Sequence, residues 1–189
     1  MEAFLTSTAI VALAEIGDKT QLLAIVLATR FKRPWPVIGG IFAATVANHF
    51  LAALVGSQAA AFLDSLWFRY AIAASFIAMA AWTLVPDKLD EVADKPARFG
   101  AFVTTLIAFF LVEMGDKTQI ATVALGARFH DVVPVTMGTT IGMMIANVPA
   151  VFLGNELIKR VPLHVVRIAA ALLFLVIGLW LLAQTAGLV

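Results

Sequence analysis

Cysteine is absent from the 189 residues of this chain. Disulfides, zinc–thiolate centres and thiol catalysis are therefore excluded, although no compartment is assigned by that absence. Charge is scarce as well. Asp, Glu, Lys and Arg make up 13% of the residues, where soluble domains average about 25%. The net charge is +1 and no long basic run occurs, so no nucleic-acid partner is expected. The chain also lacks a His-Glu-x-x-His pair, a Ser or Cys nucleophile motif and a phosphate-binding glycine loop. What fills the sequence is apolar: 62% of it is hydrophobic, against about 45–50% in soluble domains. An integral membrane protein with little soluble mass follows, surrounded by lipid bilayer.

A membrane span needs about 20 mostly apolar residues. Six stretches fit, over residues 4–29, 36–57, 68–85, 101–126, 134–155 and 165–186. Met1-Glu2-Ala3 carries no basic residue, and the first run is far longer than a signal peptide's apolar core of about 7–15 residues. A retained first span is expected. The one strongly polar segment, residues 86–98, holds Asp87, Lys88, Asp90, Glu91, Asp94 and Lys95. It divides the chain into residues 1–85 and 99–189.

Those halves repeat. At an offset of 98, Arg30 aligns with Arg128, Phe31 with Phe129, Pro36 with Pro134, Arg69 with Arg167, Phe76 with Phe174 and Trp82 with Trp180. In between, the register slips by one, so that Gly39 meets Gly138 and Asn48 meets Asn147. Similar composition alone does not place Arg, Asn and Trp in matching order. Three spans per repeat is an odd number, so the second repeat enters the membrane from the opposite side. The expected architecture is all-α: six transmembrane helices in two inverted three-helix repeats, with a site near the midplane. Lys and Arg in loops set orientation. Arg30, Lys32, Arg33, Lys88, Lys95, Arg98, Lys159, Arg160 and Arg167 fall on one side, against Arg69 and Arg128 on the other. The linker is therefore expected in the cytoplasm and both termini outside.

The strongest internal match is Glu15-Ile16-Gly17-Asp18-Lys19-Thr20-Gln21, which returns as Glu113-Met114-Gly115-Asp116-Lys117-Thr118-Gln119. Each copy lies within an apolar run. A central Asp or Lys there costs about 2.5–3.5 kcal/mol. Six such groups approach ~18 kcal/mol before pairing and hydration. Such a cost points to function rather than architecture.

On one helix face, Glu15 with Asp18 and Glu113 with Asp116 would stand three residues apart. Both pairs fall halfway along their spans, so four carboxylates can converge. Oxygen clusters suit hard divalent cations such as Mn²⁺, Ca²⁺ or Mg²⁺. Four carboxylates and two Lys sum to −2, which one divalent cation would neutralise. Protons can occupy the same oxygens instead, and that duality is what metal–proton exchange requires. Gln21 and Gln119 are candidate amide ligands beside the Asp residues. Asn48 and Asn147 are candidate ligands or interhelical hydrogen-bond formers. Lys19 and Lys117, four residues after each Glu, are expected to balance charge. Gly17 and Gly115 either open the helix or allow close packing. Thr20 and Thr118 are expected to bond back to the preceding turn. His49, which has no counterpart because Val148 follows Asn147, is read as a packing residue. Pro149 should mark a kink in the fifth span.

These motifs resemble those of the small duplicated cation transporters with paired Glu-x-Gly-Asp-[Lys/Arg]-[Thr/Ser] sequences. That family includes the MneA-type bacterial manganese exporters and relatives in Golgi and chloroplast membranes. The resemblance covers essentially the whole chain, with both motifs intact at 15–20 and 113–118. It implies secondary active export of Mn²⁺ from the cytoplasm in exchange for protons, with Ca²⁺ carried by some members. It also implies no cofactor beyond the transported ion, and Glu15, Asp18, Glu113 and Asp116 as acidic ligands. The chain lacks the N-terminal extension of the organellar relatives, and a bacterial inner membrane is expected. The rivals are a Ca²⁺/proton exchanger of the same fold and an intramembrane carboxylate- or metal-dependent enzyme. A structural membrane subunit is a third, which leaves the buried charges without a purpose.

Overall fold

The computed structural model describes residues 1–62, 65–85, 99–154 and 163–188. Eight α-helices make up this part: α1 Glu2–Glu15, α2 Lys19–Phe31, α3 Pro34–Phe62, α4 Leu66–Thr83, α5 Ala101–Glu113, α6 Lys117–Phe129, α7 Val132–Leu153 and α8 Leu163–Thr185. The linker at 86–98 and the basic pair Lys159 and Arg160 lie outside the described residues. Residues Pro34–Ala59, Leu66–Thr83, Val132–Leu153 and His164–Thr185 are long and apolar enough to cross a membrane.

The first and fourth expected spans are not continuous. Each is two helices of 13 or 14 residues, interrupted within the repeated motif. The break has the same shape in both copies. Ile16 and Met114 leave the helix at φ −65°, ψ 115° and φ −63°, ψ 119°. Gly17 and Gly115 follow at φ 82° and 76°, a region that costs an L-residue about 1–2 kcal/mol and glycine almost nothing. Asp18 and Asp116 then cap the next helix in extended conformation. Glu15 and Asp18 therefore do not share the face of one helix, as the i, i+3 spacing predicts. Glu15 ends α1 and Asp18 begins α2.

Helices pair across the halves. α1 packs on α7, α5 on α3, α6 on α3, and α4 on α8. Glycines admit a neighbouring helix at these crossings, most closely between α1 and α7 and between α3 and α6. A Cβ on Gly138 would stand 2.4 Å from the Phe4 carbonyl oxygen, and one on Gly142 2.7 Å from that of Thr8. On α3 and α6, a Cβ on Gly56 would stand 2.0 Å from the Val123 oxygen, and one on Gly126 2.5 Å from that of Ala53. In lipid, where apolar burial does not drive helix association, such backbone-to-backbone approach supplies van der Waals contact. Gly56→Val should push α3 off α6 and lower the melting temperature of purified protein, at a cost of about 1–3 kcal/mol. Gly100→Ala, whose Cβ meets nothing within 4 Å, should leave it unchanged.

The apolar interior lies in two clusters. Ile10, Phe76, Met79, Leu125, Phe174 and Leu181 form one, and Leu23, Leu27, Val37, Ile41 and Phe109 the other. Phe76 and Phe174, equivalent at the offset of 98, touch each other with ring centroids 6.2 Å apart. The distribution of polarity is that of a protein in lipid. Glu15, Asp18, His49, Glu113, Asp116 and Asn147 are buried, whereas Leu172, Val176, Leu179 and Trp180 of α8 are exposed. α7 runs through Pro149 as helix.

Candidate metal centre

Both helix breaks deliver their charges to one place. Glu15, Glu113 and Asp116 each offer a carboxylate oxygen, and these three atoms lie within 4.8 Å of one another. All three residues are buried, with Glu15 at 0% exposure. The negative ends of the α1 and α5 dipoles, which terminate at Glu15 and Glu113, favour positive charge there.

The lysines do not pair with the Glu four residues before them. Each crosses to the Asp of the other motif. Lys19 Nζ stands 3.1 Å from Asp116 Oδ1, and Lys117 Nζ 3.6 Å from Asp18 Oδ1. The helix break causes this, because the i, i+4 ladder that would bring Lys back to Glu is gone. Of the motifs' six charges, two Asp and two Lys thus cancel in cross-pairs. The net −2 rests on Glu15 and Glu113. Asp18, held by Lys117, stands outside the group of three carboxylates.

The neighbours support the break and the acids. Gln21 Oε1 accepts the Gly17 N–H at 2.9 Å, and Gln119 Oε1 that of Gly115 at 2.6 Å. Opening the helix strands those amides, and the glutamines restore their hydrogen bonds. The amide nitrogens reach across the fold, Gln21 Nε2 to the Ala146 oxygen at 3.0 Å and Gln119 Nε2 to Asn48 Oδ1 at 3.5 Å. Asn48 Nδ2 donates to the Phe110 oxygen at 3.0 Å, a carbonyl in the last turn of α5. Asn147 joins the acids directly: its Nδ2 donates to Glu15 Oε1 at 3.2 Å. Thr118 does not bond back to the preceding turn; its hydroxyl donates to Glu113 Oε1. The Thr20 hydroxyl is buried with no hydrogen-bond partner among the described residues.

The sequence reads His49 as a packing residue. It is fully buried, and its Nε2 lies 3.5 Å from Glu113 Oε1. The available signal was an imidazole in the middle of an apolar helix, next to an amide that recurs between the repeats. His130, by contrast, ends α6 in the left-handed conformation, and His164 is exposed.

Comparison with known proteins decides the family. The model described as "Divalent cation/proton antiporter GDT1" matches residues 3–91 and 101–188. The chain belongs to the GDT1 family of divalent cation/proton antiporters. It is 48% identical over 180 residues to a "Putative manganese exporter" of Vibrio cholerae, covering 95% of this chain and 90% of that protein. It is 30% identical to a GDT1-like protein of Synechocystis, covering 92% and 93% of the two chains. It is 26% identical to the "Divalent cation/proton antiporter GDT1" of Saccharomyces cerevisiae, over 97% and 84%. No solved structure matches. The Vibrio cholerae and Saccharomyces cerevisiae relatives are named as transporters, not enzymes, and this chain is a multi-pass membrane protein.

The residues fit a divalent cation as cargo. Glu15 Oε2, Glu113 Oε2 and Asn147 Oδ1 are buried acceptors with no donor among the described residues. Buried acceptors ordinarily find a donor or a cation. An all-oxygen set of carboxylates and an amide is the chemistry of hard divalent ions.

The cross-pairs are testable. Lys19→Met leaves Asp116 buried without that partner and should cost about 3 kcal/mol, the low end for breaking a buried ion pair. Lys19→Met with Asp116→Asn should recover much of that loss in a thermal melt. A double variant as unstable as the sum of the two singles would show that the pair is not coupled.

Proposed function

We propose that this chain exports Mn²⁺ from the cytoplasm in exchange for protons. The observation that carries the reading is the meeting of Glu15 with Glu113 and Asp116, buried carboxylates drawn from both copies of the motif. Membership in a divalent cation/proton antiporter family supports the chemistry, and the Vibrio cholerae relative supports the choice of metal. Glu15, Glu113 and Asp116 hold the ion, with Asn147 as the amide ligand. Asp18, Asn48, Gln21 and Gln119 shape the surrounding shell, and Lys19 and Lys117 fix the charge.

The architecture that suits this work is six crossings in two inverted repeats. α1 with α2, and α5 with α6, each make one interrupted crossing. The contact of Phe76 with its equivalent Phe174 supports a twofold axis, as do the reciprocal Lys–Asp pairs. Discontinuous helices flanking a midplane ion are a recurrent device of such transporters, because rocking one repeat against the other exposes the site to each side in turn. Arg30, Lys32 and Arg33 at the junction of α2 and α3 put that end in the cytoplasm under the positive-inside rule. Both termini then lie outside, in a bacterial inner membrane.

Purified protein in liposomes should move Mn²⁺ with no other substrate present. Ca²⁺ carried in preference to Mn²⁺ would favour the Ca²⁺/proton exchanger, and no metal flux at all would end the transport reading.

A further inference from the structure

The two halves supply matched oxygens, but only one supplies an imidazole. His49 sits in α3 beside Asn48, and the corresponding position after Asn147 is Val148. Its side chain is fully buried, and neither Nδ1 nor Nε2 has a hydrogen-bond partner among the described residues. Burying such a ring costs free energy unless a partner is supplied. The nearest charged group is the Glu113 carboxylate, with Nε2 3.5 Å from Oε1. Adjacent donors on an octahedral ion with bonds of about 2.1 Å stand about 3 Å apart. The His49–Glu113 pair is close to that spacing. The three carboxylates close up without His49, and the imidazole meets that group at its Glu113 edge.

We propose that His49 is a specificity-determining ligand, giving the transported ion one nitrogen donor among oxygens and so favouring Mn²⁺ over Ca²⁺. The inference rests on the metal site proposed above. Ca²⁺ takes oxygen ligands in flexible cages and gains little from imidazole. Mn²⁺ is suited best by carboxylate oxygen, as Ca²⁺ is, but as a first-row transition ion it also accepts an imidazole nitrogen beside those oxygens. A single nitrogen also avoids building the nitrogen- and sulfur-rich site that would hold Zn²⁺ or Cu²⁺ in preference. The second repeat's valine leaves the imidazole on one side of the ion only.

The test uses full-length protein purified in detergent and loaded with Mn²⁺. Pulsed electron paramagnetic resonance reads nitrogen bound to the ion, and ¹⁵N-labelled histidine assigns that signal to an imidazole. Wild type should show the coupling, and His49→Gln should lose it while still binding Mn²⁺. Titration calorimetry should show Mn²⁺ affinity down at least tenfold in His49→Gln and Ca²⁺ affinity changed less than threefold. Bound Mn²⁺ without histidine coupling in the wild type would overturn the proposal and leave the carboxylate site standing. So would equal weakening of both ions, which would make His49 a support for Glu113 alone. Failure of wild type to bind Mn²⁺ would overturn the proposal together with the reading beneath it.

Discussion

Glu15→Gln and Glu113→Gln should each reduce Mn²⁺ transport by at least an order of magnitude. The substitution keeps the length and shape of the side chain and removes one of the two charges that the Lys–Asp cross-pairs leave uncompensated. A binding loss of ~1.4 kcal/mol already corresponds to a factor of ten. Both sites are fully or almost fully buried, at 0% and 1% exposure, so water does little to soften the loss. The two variants should differ in their neighbours' response. Glu15→Gln disturbs Asn147, which donates to the Glu15 carboxylate, whereas Glu113→Gln disturbs Thr118 and His49. Glu2→Gln, an exposed change at the start of α1, should transport normally and serves as the control. The measurement is Mn²⁺ flux into proteoliposomes at matched protein content. Normal flux in each single Glu→Gln variant would mean that these carboxylates do not hold the ion.

The acids were legible in the sequence because the motif is written twice. A Glu-x-Gly-Asp-Lys-Thr-Gln run repeated at an offset of 98 needs no structure to stand out from apolar surroundings. The break within it was legible only as one of two uses of Gly17 and Gly115, helix opening or close packing. A glycine in an apolar run serves a close helix crossing as well as a turn, and this chain uses both. Gly56 and Gly126 admit a neighbouring backbone, while Gly17 and Gly115 adopt positive φ. The pairing of Lys19 with Asp116 was hidden for a related reason. Local spacing favours Glu15 as its partner, and only the break followed by cross-repeat packing makes Asp116 the nearer acid. The glutamines were read as ligands because their amide oxygens have the right chemistry. In the fold those oxygens accept the glycine N–H groups that the break exposes. His49 carried no repeat signature, and its place beside Glu113 depends on how α3 packs on α5.

Transport should exchange two protons for each Mn²⁺ and move no net charge. The count comes from the same pairing. Lys19 with Asp116 and Lys117 with Asp18 are neutral pairs held across the repeats, and Glu15 and Glu113 carry the remaining −2. One divalent cation neutralises that pair of carboxylates, and so do two protons. A buried pair of like charges with neither is strongly disfavoured. The carrier should therefore cross between its two openings loaded one way or the other, which is the condition for obligatory exchange. The sign follows from competition for the same oxygens. An acidic exterior promotes release of Mn²⁺ outside and loading of protons there, and a less acidic interior promotes the reverse. A gradient acidic outside thus drives Mn²⁺ outward. Proteoliposomes with an internal pH reporter should register two protons moved per Mn²⁺. Collapsing the pH gradient should slow uphill transport several-fold. Clamping the membrane voltage at different values with K⁺ and valinomycin should not change it, because an electroneutral cycle does no work against voltage, which otherwise amounts to about 2.3 kcal/mol per charge per 100 mV. One proton per Mn²⁺, or flux that follows the voltage, would mean that a cross-pair also changes its charge during transport. Mn²⁺ movement with no proton counterflow would leave a uniporter as the better account.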